Sequence, residues 1–156
     1  MLSGNKVRKL EFIAAYAVEN GFRTLVTCGG VQSNHCRATA LVAAQLGLRC
    51  HLVLRADGTD HRSTGNFLLD QIAGATYEIL PAAGWGRALQ SAYQRLEQHF
   101  LESGEPALMI PTGGSDSLGI WGYIAAAEEL GHDIVAHQID RAAVAVATGD
   151  RKSTRL

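Results

Sequence analysis

The segment at residues 24–36, TLVTCGGVQSNHC, joins a short apolar run to a helical one through a pair of glycines. Residues 24–28 are apolar or β-branched, which is typical of a short buried strand. The glycine pair allows a tight turn and a close approach of the backbone to a ligand. Ser33 or Asn34 can then cap a helix over 34–46, whose first N–H groups favour an anionic or acceptor group. The segment therefore predicts one strand–loop–helix unit with a polar turn.

The same alternation of strand and helix continues along the chain. Each strand is a short apolar run, which favours a parallel sheet covered by helices on both faces. We therefore predict an α/β protein with a three-layer αβα fold and a mainly parallel sheet. Right-handed crossovers bring the strand-to-helix loops to one edge, where ligands of open α/β sheets bind. The predicted strands are 24–28, 50–54, 76–80, 107–110 and 142–148, and the predicted helices are 7–18, 34–46, 63–72, 84–101 and 120–130.

Composition and charge argue against several classes of protein. The 156 residues carry a formal net charge of -1, so no strong field favours nucleic acid or an anionic membrane. No apolar run reaches the ~20 residues that a membrane span needs, and no signal peptide is visible at the start. The three cysteines form no CxxC motif and are expected to be reduced thiols. The histidines show no metal-ligand spacing, so we expect no metal site and a folded protein of the cytoplasm.

Only three lysines occur, and two of them, Lys6 and Lys9, lie at the start of the first predicted helix. Lysine, unlike arginine, can lose its proton and form a Schiff base with a carbonyl. At this spacing the two side chains share one helix face. Taken alone, the pair is more typical of two solvated helix lysines, and the glycine loop is equally typical of an ordinary capped turn.

Both ends of the sequence suggest a fragment. Residues 150–156, DRKSTRL, have neither apolar periodicity nor turn chemistry. We interpret them as a non-native tail translated from adapter DNA, with a natural basic C-terminus as the alternative. The lysine segment follows Met1 with no preceding strand, and no helix follows the strand predicted at 142–148.

Six segments of the chain occur in an order that is typical of one enzyme family. They are residues 4–12 (GNKVRKLEF), 28–40 (CGGVQSNHCRATA), 50–55 (CHLVLR), 65–66 (GN), 111–115 (PTGGS) and 118–119 (LG). Together they resemble the pyridoxal-phosphate-dependent family of D-cysteine desulfhydrase and 1-aminocyclopropane-1-carboxylate deaminase. The resemblance covers about residues 3–149 and implies the tryptophan-synthase-β type of fold. It also implies a cofactor-lysine segment of a large domain at 1–8, a small α/β domain at 9–118 and a return into the large domain at 119–149.

The resemblance gives a role to both lysines and to the serine of the glycine loop. It assigns the Schiff base with pyridoxal 5′-phosphate to Lys6 and a place near the cofactor phosphate to Lys9. It assigns nucleophilic or proton-transfer work on the substrate to Ser33. Lys6 and Ser33 are thus the expected catalytic residues.

The resemblance also implies residues that bind the cofactor or the substrate. Asn34 matches an asparagine that hydrogen-bonds the pyridoxal 3′-oxygen. His35 follows the desulfhydrase version of the motif, where the deaminase version usually has glutamine, and it is expected to contact the substrate with Ser33 and Asn34. Thr148 and Gly149 match the opening of the phosphate-binding loop, although the sequence after them departs from the family pattern.

The activity that the resemblance implies is β-elimination of D-cysteine to pyruvate, ammonia and hydrogen sulfide. Alternatives with the same fold are the deaminase, an L-cysteate sulfo-lyase and a synthase, and a small binding module without catalysis is the alternative from another class. The whole protein is expected to be a homodimer that acts on a small amino acid. The 156 residues alone are expected to be inactive, because most of the phosphate loop and the large domain are missing.

Overall fold

The computed structural model describes residues 4–58 and 62–145. Helices and strands alternate along the described chain, as the apolar pattern predicts. A short 3-10 turn, Thr112–Gly114, follows the fourth strand. In chain order the elements are α1 (Lys6–Glu19), β1 (Thr24–Gly30), α2 (Asn34–Gln45), β2 (Arg49–Ala56), α3 (Gly65–Ile72), β3 (Thr76–Pro81), α4 (Trp85–Glu102), β4 (Ala107–Met109) and α5 (Gly119–Ala136).

The four described strands form one sheet in the order β3–β2–β1–β4, and every strand pair is parallel. β1 and β2 are therefore the two central strands. Val26 pairs with His51 of β2 on one side and with Met109 of β4 on the other. Parallel neighbours need crossover connections, which the intervening helices supply. The prediction of a parallel α/β sheet is confirmed.

The helices cover the two faces of the sheet unequally. Leu25 of β1 joins the core that α1, α2 and α3 share, and its neighbour Val26 joins the core beneath α4. Successive strand residues point to opposite faces, so one strand contributes to both cores. In β2, Leu52 likewise joins the core shared by α1, α2 and α3, and Val53 joins the core beneath α4. This arrangement is the predicted three-layer αβα architecture.

Two predictions near the end of the described chain are wrong. Helix α5 continues beyond residue 130 to Ala136, because Gly131 keeps a helical backbone instead of ending the helix with a positive φ. Residues 142–145 of the predicted final strand form no strand, and the rest of it lies outside the described residues. An apolar run becomes a strand only when another strand pairs with it, and none of the described strands does so here.

The described residues contain neither a helix able to cross a membrane nor a group of three metal-ligating side chains. The three cysteines are buried and unpaired. Burial raises the pKa of the Cys36 thiol to about 12 and that of Cys50 above its ordinary value. A thiol that stays protonated is a poor nucleophile, so neither is a candidate reactive group.

Candidate active site

Three segments converge at the carboxyl edge of the sheet. The C-terminal end of α1 lies next to the start of β1, because only a short turn joins them. The first turn of α1 therefore lies near the other end of β1, which is its carboxyl end. The start of α2 follows β1 directly, and the 3-10 turn Thr112–Gly114 follows the neighbouring strand β4. Loops after the strands of a parallel sheet form the usual ligand site of such folds. The predicted lysines and the predicted serine loop are therefore brought to one edge.

Lys9 bridges α1 and the 3-10 turn. Its Nζ donates to the Gly113 carbonyl at 3.3 Å and to Ser115 Oγ at 2.9 Å, and it lies 5.6 Å from the centre of the Tyr123 ring. Burial lowers the pKa of Lys9, and the nearby charge of Lys6 lowers it further. The turn can approach the lysine because Gly113 has a φ of 70°, which few other residues adopt. Lys9 thus places an anchored positive charge at the sheet edge.

Lys6 occupies the first turn of α1 and is half-buried. Within residues 4–58 and 62–145 its amine takes part in no hydrogen bond or ion pair. Its charge lowers the pKa of both Lys9 and His35, which places it in the same cluster. An amine without a fixed partner is available to react with a carbonyl, whereas the Lys9 amine is held by the turn.

Of the two caps that the sequence allows, Ser33 and Asn34, the structure has Ser33 as the N-cap of α2. Its Oγ accepts from the Cys36 N–H at 3.2 Å, and its own N–H donates to Gly30 O at 2.8 Å. The hydroxyl hydrogen of Ser33 is not used by the cap and can donate to a ligand. The Ser33 side chain occupies space that a side chain at position 29 would fill, since a Cβ on Gly29 would lie 2.7 Å from Ser33 Oγ. The cap therefore fixes the serine at the start of the helix.

Asn34 is the exposed residue beside Ser33. Its Oδ1 accepts from Asn66 Nδ2 at 2.9 Å, and its own NH₂ has no hydrogen-bond partner among the described residues. The first N–H groups of α2 lie next to it. Asn34 therefore adds a neutral donor to a sheet edge that also carries two lysine side chains.

His35 is buried beneath this surface and is only 3% exposed. Its Nε2 lies 2.8 Å from Thr27 Oγ1, and Thr27 Oγ1 donates to Ile110 O at 3.2 Å, so His35 Nε2 is the donor of that pair. Its Nδ1 is buried and has no partner among the described residues. Burial, followed by the charges of Lys6 and Lys9, lowers the pKa of His35 to about 4, and the ring is neutral at pH 7. Substrate contact by His35 stays a prediction, since the ring lies below the surface residues.

Several contributors to the site have no clear signal in the sequence. The 111–117 segment is typical of a turn with a helix cap. The N-cap residue of α5 is Leu118, and Asp116 Oδ1 accepts from the N–H of Gly119, the first residue of the helix, at 2.7 Å. The contact of Ser115 with Lys9 joins residues 106 positions apart, and no local pattern signals it. The same is true of Gln32 and Asn66, which hold the loop before α2. Thr148 and Gly149 lie outside the described residues.

The donor set fits pyridoxal phosphate. That group is an aromatic aldehyde with an anionic phosphate and an acceptor oxygen on its ring. Lys6 would supply an amine for the aldehyde, Lys9 and the start of α2 would supply positive potential for the phosphate, and Asn34 would supply a neutral donor for the ring oxygen. These residues come from segments that meet at the carboxyl edge of the sheet.

Comparison with known proteins gives a consistent result. The family model described as "Pyridoxal-phosphate dependent enzyme" matches residues 2–151. The chain is 42% identical over 134 residues to the mitochondrial bifunctional D-cysteine desulfhydrase/1-aminocyclopropane-1-carboxylate deaminase of Arabidopsis thaliana, covering 83% of the chain and 33% of that protein. It is 37% identical over 152 residues to the D-cysteine desulfhydrase of Serratia proteamaculans, covering 95% of the chain and 45% of that protein. The chain thus spans less than half the length of these curated relatives.

Solved structures resemble the chain in the same way. A crystal structure of an ACC deaminase homologue matches with a TM-score of 0.74 and 34% identity, covering 83% of this chain and 38% of that one. A diaminopropionate ammonia lyase from Escherichia coli matches with a TM-score of 0.57 at 18% identity, covering 88% of this chain and 40% of that one, which shows a shared fold.

Proposed function

Since the chain belongs to the family of pyridoxal-phosphate-dependent enzymes, we propose that the whole protein is a lyase or deaminase that acts on a small amino acid. D-cysteine is the favoured substrate, cleaved at its C–S bond to pyruvate, ammonia and hydrogen sulfide. Relatives named for this activity and the histidine at position 35 support that choice. We further propose a cytoplasmic homodimer with the domain division at 9–118.

The observation that carries the proposal is the difference between the two lysines. Lys9 is held by Gly113 O and Ser115 Oγ, whereas the amine of Lys6 has no hydrogen-bonding partner among the described residues. Lys6 is therefore the residue that would hold the cofactor covalently, and its released amine would move a proton at the substrate Cα. Lys9, held by the turn, would remain a fixed cation beside the phosphate.

The other residues would bind and orient. Pyridoxal phosphate, when bound, supplies an electron sink for the negative charge that develops at the substrate Cα. Asn34 would donate its NH₂ to the ring oxygen, which fixes the plane of the ring. Ser33 would direct its free hydroxyl hydrogen at the substrate, because its oxygen is already held by the Cys36 N–H. Thr148 and Gly149 are proposed on the resemblance alone to contact the phosphate.

The second candidate is 1-aminocyclopropane-1-carboxylate deaminase, with L-cysteate as a further substrate to assay. The named activity of the bifunctional relative supports the deaminase. Ser33 would then assist opening of the substrate ring. A binding module without catalysis is the third candidate, and it predicts that no covalent link to the cofactor forms.

The proposed function is tested on the protein expressed from the complete reading frame. Borohydride should fix the cofactor to Lys6, located by peptide mass spectrometry, and hydrogen sulfide should be released from D-cysteine faster than product forms from the other two substrates. Lys6→Ala should lower turnover at least about 10³-fold and abolish the fixed adduct. Lys9→Ala is the matched control and should keep the adduct. An adduct on Lys9, or no adduct in the wild type, contradicts the proposal.

A further inference from the structure

The loop before α2 is clamped to the start of α3 by a reciprocal pair of amides. The Gln32 side chain donates to Thr64 O at 3.0 Å and accepts from the Asn66 N–H at 2.9 Å. In return, Asn66 Nδ2 donates to Gln32 O at 2.8 Å and to Asn34 Oδ1 at 2.9 Å. Gly65 is needed here, since its φ is 56° and a Cβ would lie 2.6 Å from Gln32 Oε1. The clamp therefore joins two helix starts through the amides of two side chains.

The hydrogen-bond partners of Asn66 allow its side-chain amide only one orientation. Its Oδ1 accepts from Arg37 Nη1 at 3.1 Å, and arginine carries only donors. Its Nδ2 faces the Gln32 carbonyl oxygen, which can only accept. Reversal of the amide would set donor against donor and acceptor against acceptor, so the partners assign the two atoms.

This orientation determines the orientation of Asn34. Asn66 presents a donor, so the Asn34 atom that faces it must be the acceptor Oδ1. The Nδ2 of Asn34 then points away from Asn66 and makes no hydrogen bond with the described residues. Asn34 is exposed, so its NH₂ is available to a ligand at the start of α2.

We propose that Asn66 is a positioning residue, which turns the amide of Asn34 so that its NH₂ donates to the ring oxygen of the cofactor. This inference rests on the proposed function. Asn66 acts through Asn34 and needs no contact with the cofactor or the substrate. Hydrogen bonds with Arg37 and Gln32 fix the side chain of Asn66. A residue at the start of α3 therefore determines which atom of Asn34 is available as a donor at the start of α2.

Isosteric substitution provides the test, made on the whole protein. Asn66→Asp keeps an acceptor for Arg37, but it loses the donor to Gln32 O and presents an acceptor to Asn34, which should turn the Asn34 NH₂ towards position 66. The dissociation constant of pyridoxal phosphate, measured by absorbance titration of the cofactor-free protein, should rise about tenfold or more. Asn66→Ala leaves the Asn34 amide free to rotate and should give a smaller rise. Gln71→Glu makes the same chemical change on the same helix, away from the site, and should bind as the wild type does.

A double-mutant cycle separates positioning from general support of the loop. In an Asn34→Ala background there is no amide left to orient, so Asn66→Asp should raise the dissociation constant several-fold less than it does with Asn34 present, and the remaining rise reports the lost bond to Gln32 O. If Asn66 only supported the loop, its full effect would persist in that background. Persistence of the full effect, or wild-type affinity in Asn66→Asp, overturns the inference.

A measurement on the cofactor-free protein tests the orientation of Asn34 independently of the proposed function. The side-chain amide protons of Asn34, followed by NMR in the isotope-labelled protein, should exchange rapidly with water in the wild type and more slowly in Asn66→Asp. Exchange that is equal in both proteins overturns the inference. Failure of the wild type to bind pyridoxal phosphate would contradict the proposed function, while the exchange rates would still decide the orientation of Asn34.

Discussion

Helices α2 and α5 are both rich in apolar residues, but they lie in different surroundings. α2 packs between α1, α3 and the two central strands, and most of its residues are buried. α5 packs mainly on α1 and exposes large apolar side chains. In the described chain α5 buries Gly119 and Gly122, whereas the residues that it exposes include Ile120, Trp121, Ile124, Leu130 and Val135.

The difference explains why the candidate site is built on α2. A helix that is covered on several sides holds its first turn in place, so Ser33 and Asn34 have defined positions. α5 is located instead by close contact of glycines with backbone, since a Cβ on Gly119 would lie 2.0 Å from Gly114 O and one on Gly122 equally close to Arg8 O. Four predictions break or sharpen this comparison.

The largest effect is expected at Gly122. An alanine there would place Cβ 2.0 Å from the backbone oxygen of Arg8, and α5 must move away from α1. Gly122→Ala should lower the free energy of unfolding by about 3 kcal/mol. Gly131→Ala is the control on the same helix, because nothing lies within 4 Å of its added Cβ. It should stabilise the protein by up to about 1 kcal/mol in urea titrations. Equal effects of the two changes would show that close packing does not locate α5.

The buried carboxyl group of Asp70 tests whether water is excluded from the core beneath α2. It is fully buried, neither carboxylate oxygen has a hydrogen-bond partner among the described residues, and burial raises its pKa from 3.8 to about 7, opposed by the charge of Arg37. Because the folded pKa exceeds the unfolded one, the native state keeps a proton that the unfolded state loses. Stability should therefore fall as the pH rises through the window between these two values.

Asp70→Asn should remove this fall, which amounts to about 3 kcal/mol between pH 5 and pH 9. Urea titrations at both pH values measure it. The exposed Asp133 of α5 provides the matched control, and Asp133→Asn should change stability by less than about 0.5 kcal/mol at either pH. A wild type and an Asp70→Asn variant with parallel pH profiles would contradict the expected burial.

Gly29→Ala probes the packing at the start of α2. The new Cβ would lie 2.7 Å from Ser33 Oγ and 2.9 Å from Cys36 Sγ, so the cap must shift. A loss of about 2 kcal/mol is expected in thermal or urea unfolding. Gly30→Ala is the neighbouring control, where the nearest atom is the Arg55 oxygen at 3.9 Å. If the control is as damaging as Gly29→Ala, the effect comes from the strand and not from the cap.

The smallest effect compares two valines. Val42 of α2 is 8% exposed and Val135 of α5 is 78% exposed. Val42→Thr should lose about 1 kcal/mol, because it buries a hydroxyl, and Val135→Thr should be nearly neutral. The free energy of unfolding of each variant is compared with that of the wild type in urea titrations. Equal losses would mean that a part of the protein outside the described residues covers α5.

Local chemistry was enough to predict much of the structure. The alternation of short apolar strands with periodic helices predicted the parallel αβα fold, which is confirmed. The serine–asparagine pair after two glycines predicted a helix cap by one of the two residues, and the structure has Ser33 in that place. The resemblance to the pyridoxal-phosphate-dependent family is likewise confirmed. Local patterns failed at α5, where Gly131 permitted a helix end but did not require one. They also failed at 142–145, where a strand would have needed a partner strand.

The sequence by itself determined the candidates: two lysines on one helix face, a capped glycine loop and a predicted sheet edge on which loops meet. Those features depend on neighbours within a few positions, so they are visible along the chain. Only the tertiary structure decided which lysine is held and which has no partner among the described residues, because the contact of Lys9 with Ser115 spans 106 positions. The same holds for the orientation of Asn34, since the hydrogen bond from Asn66 joins residues 32 positions apart. Hydrogen bonds between distant segments follow from how the helices pack, and packing has no local signature.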